Sequence, residues 1–288
     1  MIKTGIIGGA SKAAGELIKI LINHPDVTLK WVSSQEHDGE RIDMVHRRLT
    51  GETSLAFASS PDLGRTDVVI VCDAAEAQRL LVGELPGEMR IINLVPQFTL
   101  EGRYWVYGLS ECNRKFMVRE CDSVDCPSPA AMAISLAVLP MARNLMVNSD
   151  IVVHAPACDA TSVAREVGYA ITNLQTSFSS KINIVEQPQP AGRGLVVKAY
   201  IETGVAIDVL RKLYDDYYDD HNFVTVVDYE PTVDDVVHTN KCLLHMEREG
   251  GKLVVTAVID AVLKGGIGNA VHCLNLLFGL YERTGLKL

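Results

Sequence analysis

The sequence lacks the features that mark a nucleic-acid-binding, exported or membrane-spanning protein. Its 288 residues carry a net charge of -9, and an acidic surface repels nucleic acid and anionic membranes. No apolar run reaches the length of a membrane span. The opening MIKTGIIGG predicts a strand. It does not resemble an export signal, because its apolar stretch is too short and no cleavage motif follows it. We therefore expect a cytoplasmic protein with neither nucleic-acid nor membrane partners.

Cysteine and histidine are present, but not in the patterns of metal ligands. The seven cysteines are scattered without a CxxC pair, and the eight histidines do not cluster. Cys121 and Cys126 stand too far apart for a zinc ribbon. An odd number of unpatterned cysteines favours reduced thiols. The sequence thus predicts neither a disulfide framework nor a metal site.

The first third of the chain alternates between strand and helix patterns. Ile2–Ile7 is a continuous apolar run, which is typical of a strand buried on both faces of a parallel sheet. An amphipathic helix is predicted at 15–22, and further strands at 27–32, 67–71 and 90–94. This alternation predicts βαβ units in a doubly wound α/β sheet. A hydrophobic content of 48% in a chain of this length suffices for two domains.

The period of the apolar pattern changes in the second half. A long apolar helix is predicted at 132–145, with further helices at 164–175, 206–218 and 268–278. Between them lie segments that alternate like strands, at 151–154, 181–185, 194–201, 221–227, 237–246 and 252–259. These segments predict an antiparallel or mixed sheet with helices on one face, and therefore an α+β domain.

The turn after the first strand has the context of a dinucleotide-binding loop. The segment GIIGGASKAAGEL joins strand to helix with Gly8 and Gly9 at the turn. Where a Gly-x-x-Gly-x-x-Gly pattern expects its next glycines, Ser11 and Ala14 stand instead. The helix N–H groups could still hold a pyrophosphate, with a hydroxyl from Ser11. We assign Gly8, Gly9, Ala10 and Ser11 to this site; the alternative is a turn whose glycines serve packing alone.

The end of the second strand, Ser33-Ser34-Gln35-Glu36, bears on which dinucleotide would bind. An acidic residue at this place holds a ribose 2′-hydroxyl and favours NAD, whereas an arginine holds the 2′-phosphate of NADP. Glu36 lies close to the acidic position, and Ser34 is assigned to the cofactor site. A solvated loop without contact to a cofactor is the alternative.

A candidate nucleophile precedes the long apolar helix, in VDCPSPAAMAISLAVLPMA. Cys126 and Ser128 stand just before the helix start, where backbone N–H groups and the helix dipole stabilise negative charge. We assign both as candidate catalytic residues. Asp125 opposes a lowered pKa of the Cys126 thiol, and a buried structural thiol is the alternative.

Four segments of the chain stand out: MIKTGIIGGASKAAGELIKILINHPDV, VYGLSECNR, HTNKCLLHME and LVVTAVIDAVLKGGIGNAVHCLNLLFGLYERTGL. Together they resemble one enzyme family, N-acetyl-γ-glutamyl-phosphate reductase, most closely in its Bacteroidetes forms. The resemblance runs from residue 1 to 288 and implies a Rossmann domain (1–128 and 265–288) with a semialdehyde-dehydrogenase-like α+β substrate and dimerisation domain (129–264). In that architecture the last helix returns to the Rossmann domain.

The resemblance implies an activity and its residues. The family reduces an N-acyl-γ-glutamyl phosphate to the semialdehyde with NADPH in arginine biosynthesis, through a cysteine thioester and a histidine acid/base. It assembles as oligomers, so a homodimer or homotetramer is implied. By the same resemblance, Gly266 and Asn269 would contact NADP(H), and Asn113 and Arg193 the acyl phosphate.

The chain departs from the family where the chemistry is done. Two alignments of the Asn-Pro-Gly-Cys motif place Pro129 or Ser128 at the nucleophile, and no histidine stands at 160–163. The stretch between His154 and Ala160 is shorter than the family's. We therefore predict a reductase-like protein whose thioester chemistry is lost or altered, and whose cofactor is NADP(H) or none. The alternative is a non-catalytic homologue that binds a ligand or partner subunits.

Overall fold

The chain divides into two compact units in the computed structural model. Unit 1 comprises Met1–Cys126 and Ile267–Leu286, and unit 2 comprises Pro127–Gly266 and Lys287–Leu288. The sequence predicts domain limits after 128 and after 264, and these limits stay a prediction. The structure describes residues 1–81, 85, 88–96, 98, 100–119 and 121–288.

Unit 1 is built on a seven-stranded sheet whose strands all run parallel. Its strands are β1 (Ile2–Ile7), β2 (Val27–Ser33), β3 (Phe57–Ala58), β4 (Val68–Val71), β5 (Arg90–Asn93), β6 (Trp105–Tyr107) and β7 (Ser123–Asp125). They lie in the order β3-β2-β1-β4-β5-β7-β6. All four residues of β4 are buried, as expected for a strand covered on both faces. The predicted doubly wound parallel sheet is confirmed.

Helices connect these strands, and the first begins at a polar cap. The helices are α1 (Lys12–Ile22), α2 (Ile42–Val45), α3 (Ala74–Leu80) and α4 (Ser110–Arg119). The sequence predicted α1 only from residue 15. It begins earlier because the Ser11 hydroxyl accepts the Ala14 N–H at 3.1 Å, which satisfies a donor that the helix itself leaves open. Apolar residues at helical spacing, Leu17, Ile18 and Leu21, are buried.

Unit 2 carries a six-stranded mixed sheet, as the sequence predicted. Its elements are α5 (Pro129–Arg143), β8 (Ile151–Ala155), α6 (Ala160–Leu174), β9 (Ile182–Glu186), β10 (Gly194–Ile201), α7 (Ile207–Tyr218), β11 (Val224–Val227), β12 (Cys242–Glu249) and β13 (Lys252–Asp260). The strand order is β11-β12-β13-β10-β8-β9. The apolar helix α5 packs on β10, β13 and α6, and its central residues are buried.

The last helix, α8 (Gly268–Leu277), belongs to unit 1 and packs against α4 and β5. All ten of its residues are buried, which explains why its sequence is apolar on every side. None of the helices that the described residues form combines the length and apolarity that crossing a bilayer requires.

Candidate dinucleotide and acyl-transfer sites

The glycine loop between β1 and α1 is held close to its neighbours. Gly8 has a φ of +79°, and a Cβ added there would stand 2.2 Å from the Asp73 Cβ. A Cβ on Gly9 would stand 1.9 Å from the Val32 Cγ1. The Gly8 and Gly9 N–H groups donate to the hydroxyl and carbonyl oxygens of Ser33 at 3.1 and 2.8 Å. Both glycines are therefore required for packing, whether or not a cofactor binds.

The outer part of the same loop fits a pyrophosphate. Ala10 is partly exposed, and Ser11 and Lys12 are exposed. Because the Ser11 oxygen already accepts the Ala14 N–H, its own hydrogen can be donated outward. The N–H groups of the first helical turn have no partner within their helix and point in the same direction. His46 braces the loop from behind, with its Nε2 2.7 Å from the Gly9 carbonyl oxygen.

The carboxylate at the end of β2 comes from a residue that sequence reasoning missed. Ser34 is buried, and its hydroxyl oxygen accepts the His37 N–H at 3.3 Å. Glu36, the acidic residue expected here, is exposed. Glu76, in the first turn of α3, accepts the Gln35 N–H at 3.0 Å and the Ser33 hydroxyl on its other oxygen. The strand end therefore carries an acidic group, supplied from a distant segment.

Asn269 has the chemistry that a nicotinamide carboxamide requires. Its side chain is fully buried in unit 1, and its Nδ2 donates to the Gly108 carbonyl at 2.8 Å. Its Oδ1 is buried without a hydrogen-bond partner among the described residues. A buried carbonyl oxygen without a donor is costly, and a carboxamide NH₂ would supply one. Gly266, assigned to the same site, lies in unit 2 within the turn at Leu263–Ile267.

Cys126 has the surroundings of a structural thiol. It is 7% exposed. Its hydrogen bond with Cys273, then burial, and then the nearby charge of Asp125 raise the pKa of the thiol well above its usual range. This arrangement opposes the lowered pKa expected from a helix start, because it keeps the sulfur protonated. The correction concerns the thiolate; the catalytic role of Cys126 itself stays an untested prediction.

Ser128 is the N-cap of α5, and its hydrogen bonds lead to Glu166 of α6. Its N–H and its hydroxyl both donate to that carboxylate, at 2.8 and 3.0 Å. Burial raises the pKa of Glu166, and this effect outweighs the two bonds from Ser128, which lower it. Pro129 is the first residue of the helix and offers neither a nucleophile nor an N–H. The positive end of α5 thus already has an anionic partner.

The connection from β8 to α6 is short. Only residues 156–159 separate β8 from α6. Asp159 caps α6 by accepting the Ser162 N–H at 3.1 Å, so the helix begins immediately. His154 lies in β8 with its ring centroid 4.9 Å from that of Tyr200. Positions 160–163, where the histidine motif aligns, form the first turn of α6.

The two residues assigned to the acyl phosphate are engaged in bonds within their own units. The Asn113 amide donates to the Tyr107 carbonyl at 2.8 Å in unit 1. In unit 2 the Arg193 Nε donates to the Asp260 carboxylate at 2.6 Å, and Asp260 is fully buried. The same carboxylate oxygen accepts the His238 N–H at 2.7 Å. Arg193 also borders a cavity lined by Gln187, Gln189 and Lys198.

Metal binding finds no support in the geometry. Within the described ranges, no three side chains of histidine, cysteine, aspartate or glutamate gather closely enough to hold a metal ion. The seven cysteines are all free thiols.

Family models and solved structures define the class of the fold. The semialdehyde dehydrogenase NAD binding domain matches residues 3–119, and the semialdehyde dehydrogenase dimerisation domain matches 164–261. A probable aspartate-semialdehyde dehydrogenase from Pseudomonas aeruginosa superimposes with a TM-score of 0.72 at 15% identity, covering 96% of this chain and 98% of its own. Aspartate semialdehyde dehydrogenase II from Vibrio cholerae, complexed with ASA, gives 0.69 at 12%, covering 98% and 99%. The chain has the semialdehyde dehydrogenase fold.

Curated relatives define the family within that class. N-acetyl-gamma-glutamyl-phosphate reductases from Parabacteroides distasonis, Phocaeicola vulgatus and Bacteroides thetaiotaomicron are 38%, 36% and 34% identical, each over the whole of this chain and 98% of the relative. The chain belongs to the N-acetyl-gamma-glutamyl-phosphate reductase family, and the predicted resemblance is confirmed. The first alignment spans 320 positions against 288 residues here, so the relative carries segments that this chain lacks. The NAD binding domain match and these relatives support a nicotinamide cofactor.

Proposed function

We propose that this chain binds a nicotinamide dinucleotide but does not form the thioester through which its family reduces acyl phosphates. The observation that carries the proposal is the start of α5. Pro129 stands at the first helical position, and Ser128 donates both its N–H and its hydroxyl to Glu166. In this proposal the helix start carries no thiolate nucleophile. The Pro129 ring has no nucleophilic atom, and the Ser128 hydroxyl is bound to the Glu166 carboxylate.

The chemistry of the reaction supports a nearly complete loss of reductase activity rather than a moderately lower rate. A thioester accepts hydride readily, whereas an ester of Ser128 is a much poorer acceptor. Catalytic groups act as a unit, so the loss of nucleophile and base together removes nearly all covalent catalysis. Cys126 does not act as the nucleophile in this proposal, because its contact with Cys273 and its burial raise the pKa of the thiol.

Retention of the dinucleotide rests on different residues. Ser11 and Lys12 at the start of α1 are exposed, and this helix start offers donors to a pyrophosphate. At another place in unit 1, the Asn269 Oδ1 has no hydrogen-bond donor among the residues that the structure describes, and a carboxamide would bring one. These two features do not depend on the acyl-transfer residues, so cofactor binding can outlast the loss of thioester formation.

A second candidate function follows from the pairing of Ser128 with Glu166. A partly exposed hydroxyl that donates at 3.0 Å to a carboxylate of raised pKa is an arrangement of nucleophile and general base. In this version Ser128 attacks the acyl phosphate, its proton passes to Glu166, phosphate leaves, and water hydrolyses the ester. The product is a carboxylic acid rather than a semialdehyde, so no hydride donor is consumed.

We also propose that the chain forms a homodimer or homotetramer through the face of the unit 2 sheet that α5 does not cover. The dimerisation domain match includes most of this sheet. Along β8 and β10, alternate residues are only partly buried, among them His154, Lys198 and Tyr200. Light scattering on the purified chain tests this, and a monomer at micromolar concentration contradicts it.

The proposed function is tested by pairing a binding assay with a reaction assay. Calorimetric titration of the full chain with NADH and NADPH is expected to give micromolar binding of at least one. Incubation with N-acetyl-γ-glutamyl phosphate and either dinucleotide is expected to give no oxidation of the cofactor. Oxidation that Cys126→Ala abolishes would contradict the proposal, and phosphate release that Ser128→Ala abolishes would favour the second candidate.

A further inference from the structure

The end of β2 is organised around one carboxylate, that of Glu76. Its two oxygens accept hydrogen bonds from the Gln35 N–H and the Ser33 hydroxyl. Glu76 lies in the first turn of α3, whose N-cap is Asp73. The side chain therefore reaches from the segment after β4 to the segment after β2.

In parallel sheets that bind a dinucleotide, the segment after β2 lies next to the ribose. Ligands bind at the carboxyl ends of the strands where the strand order reverses, and here β2, β1 and β4 are neighbours. The glycine loop follows β1, and Glu76 lies in α3, which follows the neighbouring strand β4. The residue at the end of β2 ordinarily decides between a ribose 2′-hydroxyl and a 2′-phosphate.

We propose that Glu76 makes the chain select NAD(H) over NADP(H), by accepting a hydrogen bond from the 2′-hydroxyl of the adenosine ribose. The inference rests on the proposed function, because it concerns the same dinucleotide site. It assigns to Glu76 the role that the sequence suggested for Glu36, and it favours the cofactor opposite to the one that the family resemblance implies.

The hydrogen-bonding capacity of Glu76 allows this role. Each oxygen of a carboxylate offers two acceptor sites, and each oxygen of Glu76 has one occupied by Gln35 or Ser33. One acceptor site on each oxygen is left for a ribose hydroxyl. Glu76 is only partly buried, so a ligand can reach it.

The charges around the strand end disfavour a 2′-phosphate. A doubly charged phosphate beside the Glu76 carboxylate is a like-charge contact, which weakens binding on the order of tenfold or more. Three cationic or titratable side chains on the segments after β2 and β4 make polar contacts of their own. The Arg79 guanidinium donates to the Ser59 carbonyl, His37 contacts Glu40 at 2.8 Å, and Arg41 is paired with Asp43.

A bracing role for Glu76 makes a different prediction from a selecting role. If Glu76 only holds the segment after β2, its loss should weaken NADH and NADPH alike, and Ser33→Ala should do the same. If Glu76 selects the cofactor, Glu76→Gln should change the ratio of the two affinities. Ser33→Ala keeps the carboxylate, so it should leave that ratio on the side of NADH.

The experiment is a calorimetric titration of the full chain with NADH and with NADPH, for the wild type, Glu76→Gln, Ser33→Ala and the control Glu52→Gln. Glu52 pairs with Lys19 on the surface of the same unit, so its substitution removes the same charge elsewhere. We expect the wild type to bind NADH about tenfold or more tightly than NADPH. Glu76→Gln should bring the two affinities close together, and Glu52→Gln should leave their ratio unchanged. Thermal unfolding of each variant verifies that it is folded.

The outcomes separate this inference from the proposed function. Wild-type binding of NADPH as tight as that of NADH overturns the inference and leaves the proposed function standing. If folded Glu76→Gln keeps the wild-type ratio of the NADH and NADPH affinities, the inference is likewise overturned and the proposed function still stands. If neither dinucleotide binds to the wild type, the proposed function fails and the inference fails with it.

Discussion

Helices α1 and α5 both begin after a serine, and the two serines make opposite use of their hydroxyl groups. Ser11 accepts the Ala14 N–H of its own helix, and the start of α1 stays exposed. Ser128 donates its hydroxyl and its N–H to Glu166, so a carboxylate of the chain itself occupies the start of α5. Both helix starts could bind an anion, but only that of α1 is open to one from outside.

This difference teaches where the chain has kept the properties of its family. The loop at α1 has closely packed glycines and exposed residues at its outer part. At α5 the helix starts with the capping Ser128 and Pro129, and the connection from β8 to α6 is short. Our proposal therefore places the loss of function at the start of α5 and the retained function in the glycine loop of unit 1.

The largest expected effect on stability and dinucleotide binding comes from distorting the glycine loop before α1. Gly8→Ala places a Cβ 2.2 Å from the Asp73 Cβ at a φ of +79°. We expect a loss of about 2–3 kcal/mol in the free energy of unfolding and loss of dinucleotide binding. Urea denaturation and titration with NADH measure the two effects.

Gly39→Ala is the matched control, because Gly39 has a φ of +76° but no atom within 4 Å of an added Cβ. It should cost only the backbone penalty, about 1 kcal/mol, and leave binding intact. Equal losses for the two variants would contradict the argument that the loop is fixed by close packing.

The next largest effect concerns the closed helix start. Removing Glu166 as Glu166→Ala should lower the free energy of unfolding by about 1–2 kcal/mol, because two hydrogen bonds to a charged group are lost. A double-mutant cycle with Ser128→Ala isolates the bond between the side chains. Additive losses, with no coupling between the two sites, would show that the carboxylate does not hold the serine hydroxyl.

Two substitutions of Ser11 test whether the exposed start of α1 is the pyrophosphate site. Ser11→Ala removes the cap and should cost about 1 kcal/mol of stability. Ser11→Asp keeps a good cap and should preserve stability, but its charge should weaken NADH binding by repelling the pyrophosphate. If Ser11→Asp binds NADH as the wild type does, the start of α1 is not the pyrophosphate site.

The smallest expected effect is a dependence of stability on pH. Burial raises the pKa of Glu166 above its ordinary value of 4.5, so the folded chain holds this proton more strongly than the unfolded chain. Stability contributed by the protonated group is therefore lost as the pH rises from about 4 through the raised pKa. Glu166→Gln lacks this titration, and chemical unfolding of both proteins across that range measures it. A wild-type stability that runs parallel to that of Glu166→Gln across this range, or that rises relative to it with increasing pH, would contradict the assignment.

The periodicity of the sequence predicted the fold, because strands buried on both faces and amphipathic helices leave a direct pattern. β1, β4, β10 and β13 lie close to their predicted limits. The start of α1 was placed too late because the apolar spacing begins only after the cap. α3 has only seven residues, which is too few turns for a period to be seen, and α4 is rich in polar residues that obscure its apolar spacing.

The candidate sites were predictable only as far as they are local. The glycine loop and the serines before α1 and α5 could be read from neighbouring residues. The partners Glu76 and Glu166 could not, because each meets its serine across a fold that brings distant segments together. Cys273 is distant in sequence from Cys126 in the same way, and together with burial it raises the pKa of the Cys126 thiol rather than lowering it.

The most direct test of the account is one calorimetric titration of the folded, full-length chain with NADH. The account predicts saturable binding with a dissociation constant in the micromolar range, since the start of α1 is open and Asn269 lacks a donor for its Oδ1 among the described residues. Absence of heat, repeated with NADPH to the same result, would contradict it. The contrast between an open α1 and a closed α5 would then not be a contrast in function.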